Sequence, residues 1–141
     1  MKATHNLQRT ISISVLIIFL IPLAGWSQPK RIKPPKRISK VKSADVFVSK
    51  SFELYEKVFV YDSLTQAGID IPTELEDAMA EGAKEDFDGL VDVTPDVLDD
   101  ISNTSVFRQA KAALNMNKAR NALTFCGATI KNYFLGTEDE D

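Results

Sequence analysis

Apolar residues recur at helical spacing in two long segments, of which the first spans residues 44–67. Its apolar positions share one face of a helical wheel, and Lys50 and Lys57 lie opposite. Ser43 is placed to cap such a helix and Gly68 to end it. A long amphipathic helix is therefore predicted here. Its apolar face comprises Phe47, Val48, Phe52, Leu54, Tyr55, Val58 and Phe59.

The second long helix is predicted over residues 105–135, with Gly136 as its stop. It has two apolar faces, as expected of a helix that packs between neighbours. One carries Phe107, Ala110, Leu114, Phe125 and Ala128, and the other carries Ala112, Met116, Ala119, Leu123, Ile130 and Phe134. Cys126 lies beside the second face, where a buried structural thiol is expected. Arg108, Lys111, Asn115 and Lys118 form a polar stripe, which we expect to face the acidic middle of the chain.

That middle segment, residues 70–100, contains twelve acids and one base. Thr73 and Glu76 match a capping box, which predicts a short helix to about Ala83. Thr94 and Pro95 predict the start of a second short helix that ends near residue 101, with Gly89 in the loop between the two. A calcium loop centred on Gly89 would lack its first ligand and its bidentate Glu, so an EF-hand is not predicted.

These elements together predict an all-α fold. The expected architecture is a small bundle of two long antiparallel helices with two short acidic helices between them. The helical domain is assigned to residues 44–136, and residues 137–141 form an acidic tail.

The N-terminal segment has the three-part pattern of a secretory signal peptide. Lys2 and Arg9 precede residues 11–24, of which eleven are apolar. Small residues follow, so residues 1–27 are predicted to be removed between Ser27 and Gln28. The bases just after the cut oppose this orientation under the positive-inside rule. The alternative is therefore a membrane-tethered protein in which residues 10–26 remain as an anchor.

Residues 28–43, here called the basic arm, are predicted to form a disordered linker. Three prolines deny the arm a helix and favour polyproline II, in which positions six apart share a face. Arg31 would then lie above Arg37, and Ile32 above Ile38, so that the arm presents a basic edge. Seven bases and no acid occur there: Lys30, Arg31, Lys33, Lys36, Arg37, Lys40 and Lys42. They are the candidate binding residues for an anionic surface, although a solvated spacer would have the same composition.

The sequence also restricts the chemistry. His5 and Trp26 are the only residues of their kinds, and both leave with the predicted signal peptide. Without an imidazole base, the remaining chain lacks the usual activated Ser or Cys nucleophile. One Cys permits neither an internal disulfide nor a multi-Cys metal site. No catalytic residue, metal site or cofactor is predicted, and the sequence resembles no family.

The leading hypothesis is therefore a small exported, non-catalytic binding module. Its partner would be an anionic envelope surface or an acidic protein, and export argues against nucleic acid. The chain has a formal net charge of −3 but is divided: the arm carries seven bases, and residues 44–141 carry eight bases and twenty acids. Self-association of arm and acidic domain would also suit this division. The alternatives are the tethered protein and an acidic cation-binding protein or carboxylate-only enzyme.

Overall fold

The computed structural model describes residues 30–134, in which three α-helices and no strand occur. The helices are α1 (Lys42–Gln66), α2 (Thr73–Ser102) and α3 (Val106–Phe134). The all-α prediction is confirmed. The predicted signal peptide and the acidic tail lie outside the described residues. Within residues 30–134, no helix is both long and apolar enough to cross a membrane.

The first and third helices run parallel, as their aromatic contacts show. The ring of Tyr55 lies 5.3 Å from that of Phe125, and the ring of Tyr61 lies 4.9 Å from that of Phe134, between centroids. Residue numbers thus rise in the same direction along α1 and α3. The prediction that these two helices are antiparallel is wrong. The segment between them forms a third long helix, so the chain reverses direction twice before α3 begins.

That third long helix, α2, runs antiparallel to its neighbours. Lys57 pairs with Asp86 across α1 and α2, with 3.1 Å between Nζ and Oδ2, and the hydroxyl of Tyr61 donates to Glu76. Increasing numbers in α1 therefore meet decreasing numbers in α2. Each helix packs against the other two. Residues 32–134 accordingly form a three-helix bundle with short connections.

The two short acidic helices predicted in the middle segment are a single helix of 30 residues. Gly89 and Pro95 both lie inside α2 at exposed positions. Between them, the hydroxyl of Thr94 donates to the carbonyl of Leu90 at 2.8 Å. Pro95 has no N–H for the carbonyl of Val91, which costs helix stability. The prediction was wrong because a continuous buried stripe outweighs these local breakers.

The stripe follows alternating steps of three and four residues, the spacing that keeps side chains on one face of a long helix. It runs unbroken past Gly89 and Pro95. The members of the stripe are Glu76, Ala80, Ala83, Phe87, Leu90, Thr94, Val97 and Ile101. Each of them is buried or half-buried, whereas most of the acids between them are exposed.

The predicted N-terminal caps of α1 and α2 do not form, whereas Gly68, with φ of 69°, ends α1 as predicted. Val41 occupies the N-cap position of α1, and the buried hydroxyl of Ser43 has no hydrogen-bond partner among the described residues. Pro72 occupies the N-cap position of α2, without a side-chain bond. Glu76 instead accepts from the Tyr61 hydroxyl. Tertiary partners have thus replaced the local bonds of the capping box.

The core lies where α1 and α3 approach each other. Leu54 and Tyr55 of α1 are 1% exposed, and Cys126 of α3 is fully buried, as predicted. The second apolar face of α3 is buried or packed against the core, which confirms that part of the prediction. The prediction of the first face is wrong: Phe107, Ala110, Leu114 and Ala128 are exposed, and only Phe125 packs against the core.

Candidate anionic-surface interface

The basic arm is bound to the bundle from Ile32 onward. The N–H of Ile32 donates to the hydroxyl of Tyr55 at 2.9 Å, and the Ile32 side chain packs against the core. Tyr55 is almost fully buried, so this bond satisfies a polar atom that would otherwise be costly to bury. The prediction of a disordered linker is wrong for residues 32–41. Side chains of the helices supply the hydrogen-bond partners of backbone groups in the arm, which forms no helix of its own.

The middle of the arm is held by α3. The side-chain amide of Asn115 donates to the backbone carbonyl of Arg37 at 2.9 Å. Asn115 belongs to the stripe that was expected to face the acidic segment. Within the described residues, no ion pair joins the bases of α3 to the acids of α2, and Asn115 of the stripe instead bonds to the arm.

The end of the arm is fixed by Asp45, in the first turn of α1. Its carboxylate accepts from the Ser39 N–H at 2.7 Å, the Ser39 hydroxyl at 2.8 Å and the Lys40 N–H at 3.0 Å. Lys40 has φ of 67°, a left-handed conformation that is unusual for a residue with a side chain. Three bonds to one carboxylate offset that strain. A negative charge at the start of α1 also suits the helix dipole.

The candidate binding bases are all exposed, although the arm is docked from Ile32 onward. Ser39 and Val41 are buried and Pro35 is half-buried, whereas Arg37 and Lys40 contact the bundle through backbone groups. Lys30 and Arg31 belong to a preceding unit of the chain, and Lys42 is the first residue of α1. The exposed bases are Lys30, Arg31, Lys33, Lys36, Arg37, Lys40 and Lys42.

Positions six apart in the arm do not have equivalent environments. Ile32 is half-buried against the core, whereas Ile38 is 67% exposed. The predicted pair of aliphatic side chains on one face is therefore wrong. Docking at Tyr55 and at Asp45, rather than the period of a free polyproline II helix, decides which way each side chain points.

Two lysines of α3 extend the basic surface of the arm. Lys111 and Lys118 precede and follow Asn115 by about one helical turn, and therefore share its side of α3. The Nζ of Lys111 lies 4.8 Å from the centroid of the Phe107 ring, within cation–π range. The basic face, as named from here on, consists of Lys33, Lys36, Arg37, Lys40, Lys111 and Lys118.

Most of the acids lie in α2, although Asp45, Glu53 and Glu56 of α1 line the groove beside the arm. Most acids of α2 are exposed, and two of them pair with lysines: Asp86 with Lys57, and Asp88 with Lys84 at 2.8 Å. Both pairs are solvent-exposed and contribute little stability. In residues 30–134, no three acidic or thiol side chains converge in the way that a metal ion requires.

Two apolar grooves accompany these surfaces. One, of about 400 Å³, lies between the arm and α1 and is lined by Pro34, Pro35 and Phe52 among others. The second, of about 530 Å³, lies between α2 and α3, with Phe87 and Leu123 in its wall. Both are within the size range of ligand pockets.

The sequence matches no protein-family model, no curated protein and no solved structure.

A polar cluster at the far end of α1 supports the fold rather than the basic face. Asp62 is 5% exposed and accepts from the Gln66 amide at 2.7 Å. Burial raises the pKa of Tyr61, and its hydrogen bond to Glu76 acts in the same direction. Burial and then the hydrogen bond to Asp62 likewise raise the pKa of Tyr133.

The residues that position the arm were not identified from the sequence. Tyr55 was assigned to an apolar face and Asn115 to a polar stripe, and Asp45 was given no role. Only Asp45 gave a local signal, since it follows Ser39 and Lys40 closely and lies in a first helical turn. The bonds of Tyr55 and Asn115 span 23 and 78 positions, which no local pattern reveals.

Proposed function

We propose that this protein is a non-catalytic binding module that acts outside the cytoplasm and contacts an anionic surface or partner through its basic face. The observation that carries the proposal is the display of exposed bases on a segment whose backbone is held at Tyr55, Asn115 and Asp45. A segment ordered before binding loses less conformational entropy when it binds. This distinguishes the arm from a solvated spacer.

The distribution of charge supports the same function. The basic face combines the arm with α3, which contains no acid between its first and last residues. The acids are concentrated in α2. A chain with net charge −3 and such a division is drawn to an anionic surface in one orientation only. Salt should weaken the contact strongly, because exposed charges are screened over about 8 Å at physiological ionic strength.

The test is retention of the full chain on a sulfonated cation-exchange resin at pH 7, where net charge alone would prevent binding. We expect retention that is lost with added salt. The variant Lys36→Gln/Arg37→Gln should elute at a clearly lower salt concentration, because both bases are exposed and Arg37 bonds through its carbonyl only.

A matched control removes two charges elsewhere. Lys50→Gln/Lys131→Gln has the same net charge, and both positions are exposed and outside the basic face. It should elute close to the wild type. Equal shifts in the two double variants would show that overall charge, and not the basic face, governs binding, and the proposal would fail.

The export part of the proposal rests on the N-terminal sequence pattern. The intact mass of the protein from its native host tests it: a chain that begins at Gln28 has lost the predicted signal peptide. A mass that retains residues 10–26 would favour the membrane-tethered alternative. In that case the membrane anchor, and not diffusion of the protein from solution, would bring the basic face next to a bilayer.

A further inference from the structure

The most exposed large apolar side chains of the described residues lie in the first turns of α3 and in the arm. Val106 is 81% exposed, Phe107 71%, Leu114 70% and Ile38 67%. Single exposed apolar residues are ordinary, but a contiguous group marks a contact surface. Whether these residues form a group depends on how α3 and the arm are placed.

The hydrogen bond between Asn115 and Arg37 brings the two segments together. Leu114 precedes Asn115, and Ile38 follows Arg37. The sequence neighbours of Leu114 and Ile38 are therefore joined by a 2.9 Å hydrogen bond. Phe107 lies seven positions before Leu114, which is two helical turns along the same face. Phe107, Leu114 and Ile38 are named the apolar patch from here on.

The basic face surrounds this patch. Lys111 lies between Phe107 and Leu114 on α3, with its Nζ 4.8 Å from the Phe107 ring centroid. Lys118 lies one turn beyond Leu114, and Arg37 precedes Ile38 in the arm. Three acids of α1, Asp45, Glu53 and Glu56, line the groove beside this part of the arm. The carboxylate of Asp45 is occupied by the N–H groups of Ser39 and Lys40.

We infer that this surface docks on a lipid bilayer with anionic headgroups, with the apolar patch inserted at the headgroup level. The inference rests on the proposed function and names its partner. A surface with exposed aromatic and aliphatic side chains ringed by bases matches the two forces that hold peripheral proteins on membranes: apolar burial and attraction to anionic lipid. An acidic polysaccharide would use the bases and leave Phe107 and Leu114 in water.

The test places a fluorescent reporter at the patch. In the full chain with Trp26→Phe, the substitution Phe107→Trp makes the introduced indole the only one present. Vesicles of phosphatidylcholine with phosphatidylglycerol should shift its emission to shorter wavelength, and brominated acyl chains should quench it. Pure phosphatidylcholine vesicles should do neither. Val91→Trp, on α2 and 51% exposed, is the matched control and should stay unquenched.

The reporter separates this surface from the predicted N-terminal apolar segment, which could hold the chain on any vesicle. Insertion of that segment alone would leave the indole at position 107 unquenched, and the inference would be overturned. Adding Lys36→Gln/Arg37→Gln should lower the affinity for anionic vesicles, as read from the quenching, roughly 30-fold. Each base contributes about 1 kcal/mol to binding, and about 1.4 kcal/mol corresponds to a tenfold change in affinity.

The outcomes distinguish the inference from the function on which it rests. If the resin retains the chain through the basic face but anionic vesicles leave the indole at position 107 in water, the anionic-binding function stands and the lipid inference falls. If neither occurs, both fall. If heparin or an acidic protein buries that indole and anionic vesicles do not, the occupant is a macromolecule of another class, and the inference is wrong.

Discussion

The side-chain amide of Asn115 in α3 donates a 2.9 Å hydrogen bond to the backbone carbonyl of Arg37 in the arm. The bond uses the backbone of Arg37 and leaves its guanidinium exposed. Asn115 therefore positions a binding residue without neutralising it. The same division holds at Lys40, whose N–H is held by Asp45 while the residue is exposed.

The substitution Asn115→Ala should loosen the arm without unfolding the bundle. Loss of one hydrogen bond costs about 1 kcal/mol, which corresponds to about fivefold faster amide exchange for the arm residues that it holds. Site-resolved hydrogen exchange at Ile32, Ser39 and Val41 measures this. Asn121→Ala, at an exposed position of the same helix, is the control and should leave those rates unchanged. Equal rates in both variants would show that the bond does not hold the arm.

The substitution Pro95→Ala tests whether α2 is one helix. Inside a helix, proline removes a hydrogen bond and is about 3 kcal/mol less favourable than alanine, partly offset by its effect on the unfolded chain. We therefore expect Pro95→Ala to raise the free energy of unfolding by about 1–3 kcal/mol in urea denaturation. The neighbouring Asp96→Ala should change it by about 0.5 kcal/mol or less. A neutral or destabilising result for Pro95→Ala would fit a helix that starts at Pro95.

Gly127 and Gly89 provide a matched pair of helical glycines. A Cβ on Gly89 meets nothing within 4 Å, whereas a Cβ on Gly127 would lie 3.1 Å from Cζ of Phe87. Gly89→Ala should raise stability by about 0.5–1 kcal/mol through helix propensity. Gly127→Ala should gain less or lose stability, because the Phe87 ring must move. Thermal unfolding compares the two.

Adding Phe87→Leu should narrow the difference in stability between Gly89→Ala and Gly127→Ala, because the obstructing ring is gone. The coupling in this double-mutant cycle identifies the contact. If Phe87→Leu leaves that difference unchanged, the ring does not limit the space at Gly127.

The buried thiol of Cys126 should make the protein lose stability at alkaline pH. Burial raises its pKa from 9.0 to about 12. Above pH 9 the unfolded chain releases this proton and the folded chain keeps it, so unfolding becomes easier. The stabilising contribution is complete below pH 9 and is lost as pH rises to about 12, at roughly 1 kcal/mol per pH unit.

Urea denaturation of the wild type and of Cys126→Ala between pH 8 and 11 measures this contribution. The raised pKa values of Tyr61 and Tyr133 affect both proteins equally and cancel in the comparison. The wild type should lose stability more steeply above pH 9. Parallel pH profiles would show that the thiol does not contribute.

Much of the helical content was readable from local patterns. The apolar face around Phe52 and Val58 predicted α1, and the second apolar face of α3 predicted its buried side, because amphipathic spacing is a property of neighbours in sequence. The error in the middle segment came from giving Gly89 and Pro95 more weight than the steps of three and four residues that connect Ala83, Leu90 and Val97.

The sequence by itself determined that most of residues 42–134 are helical and that seven bases are gathered in the arm. It did not determine that α1 and α3 are parallel, or that the arm is docked. Both depend on contacts between distant residues, such as Tyr55 with Ile32 and Asn115 with Arg37. Such bonds form only after the helices have packed, since the partners of each backbone group are then fixed by the tertiary structure and not by neighbouring residues.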